Sequence, residues 1–338
     1  MKSLNSPFEK ILKKISLEIK SEDKTLNILN DNYKFNFLKK DLNKFKRYKK
    51  IVIIGMGGSI LGAEAIYHLF KKKIKKKIYF LNNLDEIKIN EVKSSIKINN
   101  TLFLIISKSG NTLETITNLF LLKILKKNAK NIILISEKKD NLIFSLSKRL
   151  NLFHVEHKQT IGGRYSVLTE TGLLPAYLMG LNIKNIRKKI KSHLTGKNRE
   201  NLKKNAIYFS KLILRKKYHN LIFLNYIPEL EKFLFWCQQL IAESLGKKGK
   251  GFLPIISNVP KDHHSLLQIY LDGPKDKFFY IFSSVEKSKS KINSSIFSKK
   301  NILHNKKLSL VKNAQKKALI KSFIKNKIPF KEFKIGNL

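Results

Sequence analysis

The chain has 338 residues, 42% of them hydrophobic, with 69 Lys+Arg against 24 Asp+Glu and a formal net charge of +45. That length exceeds one ordinary domain and supplies apolar residues for more than one core, so two domains of about 150 residues each are expected. Only six of the basic residues are arginines, and bidentate reading of bases or phosphates favours arginine. The charge therefore reads as solvated lysine-rich surface that attracts anionic substrates, not as a nucleic-acid interface.

A single cysteine, Cys237, excludes an internal disulfide and suits a reducing, cytoplasmic compartment. No apolar run approaches the roughly 18 residues that span a bilayer, and the first fourteen residues carry lysines and Glu9 where a signal peptide needs an apolar core. No membrane partner is expected.

In chain order, residues 1–50 read as helices packing on the first domain. Ile51–Ile54, Ile78–Leu81, Thr101–Ile106, Asn131–Ile135 and Leu152–Val155 are short β-branched apolar runs separated by helical patterns, the signature of parallel strands buried on both faces. Leu173–Leu181 reads as a helix, and the basic stretch Lys184–Lys204 as the domain junction. A second series follows: strands at Leu221–Leu224, Phe252–Ile256 and Phe278–Phe282, a helix near Lys312–Lys325, and a strand near Phe330–Phe333. The expected fold is α/β, with two doubly wound parallel sheets and helices on both faces. The first domain covers 1–183 with its N-terminal helices, and the second covers 184–338 with its linker. The expected cleft lies at the carboxyl ends of the strands.

Five segments carry chemistry. Gly55-Met56-Gly57-Gly58-Ser59 leaves a strand through a glycine turn into a helix, where Ser59 would meet free amides. Its glycine spacing, and the lack of an acidic residue after Ile78–Leu81, argue against a dinucleotide fingerprint. Ser107-Lys108-Ser109-Gly110-Asn111-Thr112-Leu113-Glu114-Thr115 offers hydroxyls at 107, 109, 112 and 115 to one oxyanion; helix N-capping by one such hydroxyl, with Glu114 near the helix start, is the plainer alternative. Gly162-Gly163-Arg164-Tyr165-Ser166 can project a guanidinium into a cleft. Gln239, Glu243 and Lys247 are spaced along one helical face, where Glu243 could abstract a proton or merely pair with Lys247. His263-His264 follows a strand and opens a helix; adjacent histidines point apart, so an acid-base role is preferred to a metal site.

In this order, these motifs resemble the phosphoglucose isomerase family, built from two sugar-isomerase (SIS) domains, and the resemblance covers roughly residues 51–282. It implies reversible interconversion of glucose 6-phosphate and fructose 6-phosphate through a cis-enediol, as in glycolysis and gluconeogenesis, without cofactor or metal. Carried over by position, Ser107, Ser109, Thr112 and Thr115 would bind the phosphate with Lys108 beside them, and Gly58 and Ser59 would hold the substrate. Glu243 would be the base, Arg164 the enediolate stabiliser, Gln239 a site-lining residue, and His264 the ring-opening group supplied across a homodimer interface.

The family continues into a C-terminal helical segment bearing a Gln and a Lys that this chain does not match, and Lys316 and Lys317 do not substitute for it. The chain is therefore expected to bind sugar phosphates yet isomerise poorly without that segment. Dual phosphoglucose/phosphomannose isomerisation and non-catalytic sugar-phosphate binding are the alternatives; the presence of both Arg164 and Glu243 disfavours the latter.

Overall fold

The structure, a computed structural model, describes residues 2–188, 190–285, 288–296, 298 and 300–336. It divides into two compact units, Met1–Phe209 and Ser210–Leu338. The division falls inside helix Gly196–Leu214, which follows helix Ile183–Arg187 and the turn Lys191–Leu194.

In the first unit, β1 (Lys50–Ile54), β2 (Lys77–Leu81), β3 (Thr101–Ile106), β4 (Ile132–Ser136) and β5 (Phe153–Glu156) form one parallel sheet in the order β2-β1-β3-β4-β5. Strand side chains alternate between faces, and here both faces are covered. Ile51, Ile53, Leu102 and Leu104 join Ala63, Ile66, Leu173 and Leu174 in one core. Val52, Ile54, Phe103 and Ile105 join Ile89, Val92, Leu119 and Ile143 in the other. Two-sided burial is why β1, β3 and β4 read as unbroken apolar runs.

Residues 25–45 complete the first core with Phe37, Leu42 and Phe45. This segment is tied down by polar contacts: Asn36 N donates to the buried Glu170 Oε1 (2.7 Å), and Arg187 donates to Leu168 O (2.7 Å) and Ile28 O (2.8 Å). Helix Glu170–Leu178 begins three residues earlier than its apolar run because Thr169 stands at its N-cap, and it ends before Gly180, whose φ is +96°.

In the second unit, β6 (Asn220–Asn225), β7 (Leu253–Asn258), β8 (Lys277–Ser284) and β9 (Phe330–Ile335) form a parallel sheet in the order β7-β6-β8-β9. Pro254 is tolerated because β7 is an edge strand. Ile222, Leu224, Phe279 and Ile281 pack with Tyr270 of helix His263–Leu271 and with Leu319 and Phe323 of helix Leu308–Lys325. Among the described residues, no helix is long and apolar enough to cross a membrane.

Two histidines at the end of the first sheet give the fold a pH dependence. Burial pushes His154 and His157 down to about 4. The unfolded chain takes up protons at both below about pH 6.5, which the folded chain refuses until about pH 4. Their contribution is thus complete above pH 6.5 and is lost as pH falls towards 4, by up to roughly 3 kcal/mol for the fully buried His157. Urea midpoints should fall between pH 7 and pH 4.5, and a His154→Gln/His157→Gln double variant should show a shallower fall; an equally steep one contradicts the assignment.

Candidate active site

The first unit assembles three of the five motifs at one place. β1 and β3 are neighbours whose crossovers run in opposite directions, so the crevice beyond their carboxyl ends is the topological switch point where ligands bind in open α/β sheets. The Gly55–Ser59 turn leaves β1 there, and the Ser107–Thr112 loop leaves β3.

In the β3 loop, Ser107 Oγ lies 2.8 Å from Thr112 Oγ1 and 3.4 Å from Ser109 Oγ, and Ser109 Oγ lies 3.4 Å from Thr112 Oγ1. Gly110 N donates to Ser107 Oγ (3.1 Å) and Asn111 N to Ser109 Oγ (3.3 Å), which folds the loop around its own hydroxyls. Thr112 occupies the N-cap of helix Leu113–Leu121, but its side chain makes no capping bond, so the capping alternative is not what this hydroxyl does. The first helical turn keeps its amides directed at the crevice, the arrangement that favours an anion. Thr115 lies one turn further in, fully buried, and its hydroxyl has no hydrogen-bond partner among the described residues. Lys108 is committed sideways, donating to Gln159 O (3.0 Å) and pairing with Glu137 (3.5 Å).

The β1 turn and the Arg164 loop form one packed piece. A Cβ at Gly58 would fall 2.2 Å from both C and O of Gly163, an approach only glycine permits. Ser166 Oγ lies 2.9 Å from Gly58 O and 2.7 Å from Gly163 O, clasping the two loops. Half-buried Arg164 sits in the 3-10 turn Gly163–Leu168 with its guanidinium 4.6 Å from the Tyr165 ring centroid. Ser59 N donates to Met56 O (3.0 Å) in the turn Gly57–Ser59, which leads into helix Leu61–Phe70. Ser166, Glu137 and Asn141 escape a reading of the sequence because their contacts join segments far apart in the chain; only the position of Ser166 within the Gly-Gly-Arg-Tyr-Ser run hinted at it.

In the second unit, Gln239 Nε2 donates to Glu243 Oε1 (2.7 Å), an i, i+4 pair on helix Glu231–Leu245 that orients an exposed carboxylate. Lys247 does not share that face. The helix stops at Leu245, and Lys247 lies in the following turn, where Lys248 (φ +53°) and Gly249 (φ +66°) reverse the chain. The helix runs antiparallel to the strands: Glu231 meets Asn258 at the carboxyl end of β7 (2.6 Å), whereas Gln238 meets Pro254 near its start (2.7 Å). Glu243 therefore lies at the amino edge of the second sheet, not in the crevice at the strand carboxyl ends. His264, exposed, lies at the opposite, carboxyl edge, next to His263, whose Nε2 is 3.1 Å from Tyr226 Oη. The twelve helical steps from Glu231 to Glu243 alone span about 18 Å.

Two doubly wound parallel sheets, one carrying a hydroxyl-rich loop at its switch point, define an SIS-type sugar-isomerase fold. A solved hypothetical protein from Thermus thermophilus superposes with a TM-score of 0.80 at 21% identity, covering 98% of this chain and 84% of that one. A glucose-6-phosphate isomerase from Chlamydia trachomatis gives 0.65 at 19% identity over 91% of this chain and 60% of that one. The phosphoglucose isomerase family model matches residues 39–251, and the chain belongs to that family. The glucose-6-phosphate isomerase of Mycoplasmopsis synoviae is 31% identical over 91% of this chain and 77% of its own length. That of Methanocaldococcus jannaschii is 35% identical over 70% of this chain and 61% of its own length. The chain spans less than two thirds of the length of its methanogen relatives.

Proposed function

We propose that this protein interconverts glucose 6-phosphate and fructose 6-phosphate through a cis-enediol. The observation that carries the reading is the mutual clustering of Ser107, Ser109 and Thr112 at the switch point, ahead of an uncapped helix. In this reading the hydroxyls and first-turn amides hold the phosphate dianion, with Thr115 below and Gly58 and Ser59 beside the sugar. The Glu243 carboxylate, steered by Gln239, carries a proton between C2 and C1, and the Arg164 guanidinium offsets charge on the enediolate oxygen. Incubating the protein with fructose 6-phosphate in D2O and following the products by NMR tests this. Glucose 6-phosphate deuterated at C2 is expected; bound substrate without conversion overturns the isomerase reading, and conversion without exchange argues against the enediol route.

We further propose a homodimer in which His264 acts in the neighbouring chain's site. Glu243 and His264 stand at opposite edges of one sheet, too far apart to serve one substrate from a single second unit; this supports supply from two chains. Mixing Glu243→Gln and His264→Ala proteins should restore about 25% of native activity, since about half the dimers are hybrids with one intact site. No recovery after verified subunit exchange, or an active monomer by light scattering, argues against the shared site. The unpaired Cys237 is compatible with the cytoplasmic location that belongs to the same proposal.

A further inference from the structure

The loop that clusters the hydroxyls is moulded from behind by the segment after β4. Glu137 N donates to Lys108 O (3.0 Å), Leu142 N to Asn111 Oδ1 (2.9 Å) and Ile143 N to Gly110 O (3.2 Å), so the loop is met at 108, 110 and 111, at the first two by backbone amide on backbone carbonyl. Asn141 completes the fit. Its Nδ2 donates to Glu137 O (2.9 Å), and its side chain lies where a Cβ at Gly110 would be, 1.8 Å away, against a residue whose φ is +72°.

Within this mould one carboxylate stands out. Glu137 is 4% exposed, and its oxygens face Lys108 on one side and Lys139 on the other. Burying a carboxylate costs several kcal/mol unless cations and hydrogen bonds compensate. Lys108 is the only cation in the stretch Ser107–Thr115. Its ammonium is engaged by Glu137 and by Gln159 O, and its backbone carbonyl accepts from the Glu137 amide.

We propose that Glu137 is a positioning residue for the phosphate subsite, acting through Lys108 to keep the Ser107–Thr112 loop in its anion-accepting shape. This rests on the sugar-phosphate reading above, but the test does not need turnover. Inorganic phosphate binding to the full chain, measured by calorimetry, should weaken about tenfold in Glu137→Gln, the scale of one or two charge-assisted hydrogen bonds. Glu137→Asp, which keeps the charge, should recover part of the loss. Lys108→Met should weaken phosphate similarly, and adding Glu137→Gln to it should change little further, because coupled groups are non-additive. If turnover is present, KM for fructose 6-phosphate should rise more than kcat falls, since proton transfer occurs at the other end of the sugar.

Parent-like phosphate affinity in Glu137→Gln, or additive losses in the double variant, would overturn the proposal. Should Glu137→Gln fail to fold, Lys108→Met decides alone, and parent-like affinity there overturns it equally. Failure of the isomerase reading looks different: no deuterium exchange, with phosphate binding still dependent on Glu137.

Discussion

Glu243→Gln is expected to lower turnover by about 10²-fold to 10⁴-fold, the loss that accompanies removal of a general base. An amide keeps the size of the side chain and can still pair with Gln239, so the helix should remain folded. It cannot accept a proton at C2 or C1. Phosphate affinity should hardly move, because the hydroxyl loop belongs to the first unit and Glu243 to the second. Kinetics with fructose 6-phosphate, paired with calorimetry of inorganic phosphate, separates the two effects. Near-native turnover in the variant would make Glu243 an ordinary surface glutamate and would require another base.

Gly58→Ala should be a strongly damaging change in the first unit. The added Cβ would meet backbone C and O of Gly163 at 2.2 Å, and backbone cannot rotate away as a side chain can. Relief requires the β1 turn and the Arg164 loop to separate, breaking the clasp that Ser166 makes to Gly58 and Gly163. Overpacking of this kind costs on the order of 3 kcal/mol. Displacing Arg164 by about 1 Å should also reduce kcat/KM by about 10²-fold. Gly163→Ala is the matched control: its nearest neighbour would be Gly58 Cα at 3.9 Å, an ordinary contact, so stability should change by less than about 1 kcal/mol. Thermal melts of the two variants check the pair, and equal losses would show that tolerance is set by something other than this contact.

The nine strands among the described residues were legible to within one or two residues; for central strands such as β1, β3, β4 and β6 the reason is burial on both faces, which leaves each an apolar run. The hydroxyl loop was legible for a related reason: a strand-to-helix turn rich in serine and threonine is local chemistry, and local chemistry is written contiguously. The Gln239 and Glu243 spacing also survived into the fold. Extending that face to Lys247 failed, since Gly246 and the turn after it end the helix sooner than periodicity suggests.

Local order along the chain was enough to determine two doubly wound sheets, their switch-point loop and the residue types able to handle a sugar phosphate. The arrangement of those parts was decided by tertiary contacts between residues that no spacing rule connects. Gly58 meets Gly163 and Ser166 across more than a hundred residues, Lys108 meets Glu137 across another strand, and the direction of helix Glu231–Leu245 carries Glu243 to the sheet edge opposite His264. Such contacts depend on how close two backbones can pass and on which end of a sheet a helix reaches. Both are properties of packed three-dimensional geometry, which a one-dimensional pattern of apolar and polar residues does not encode.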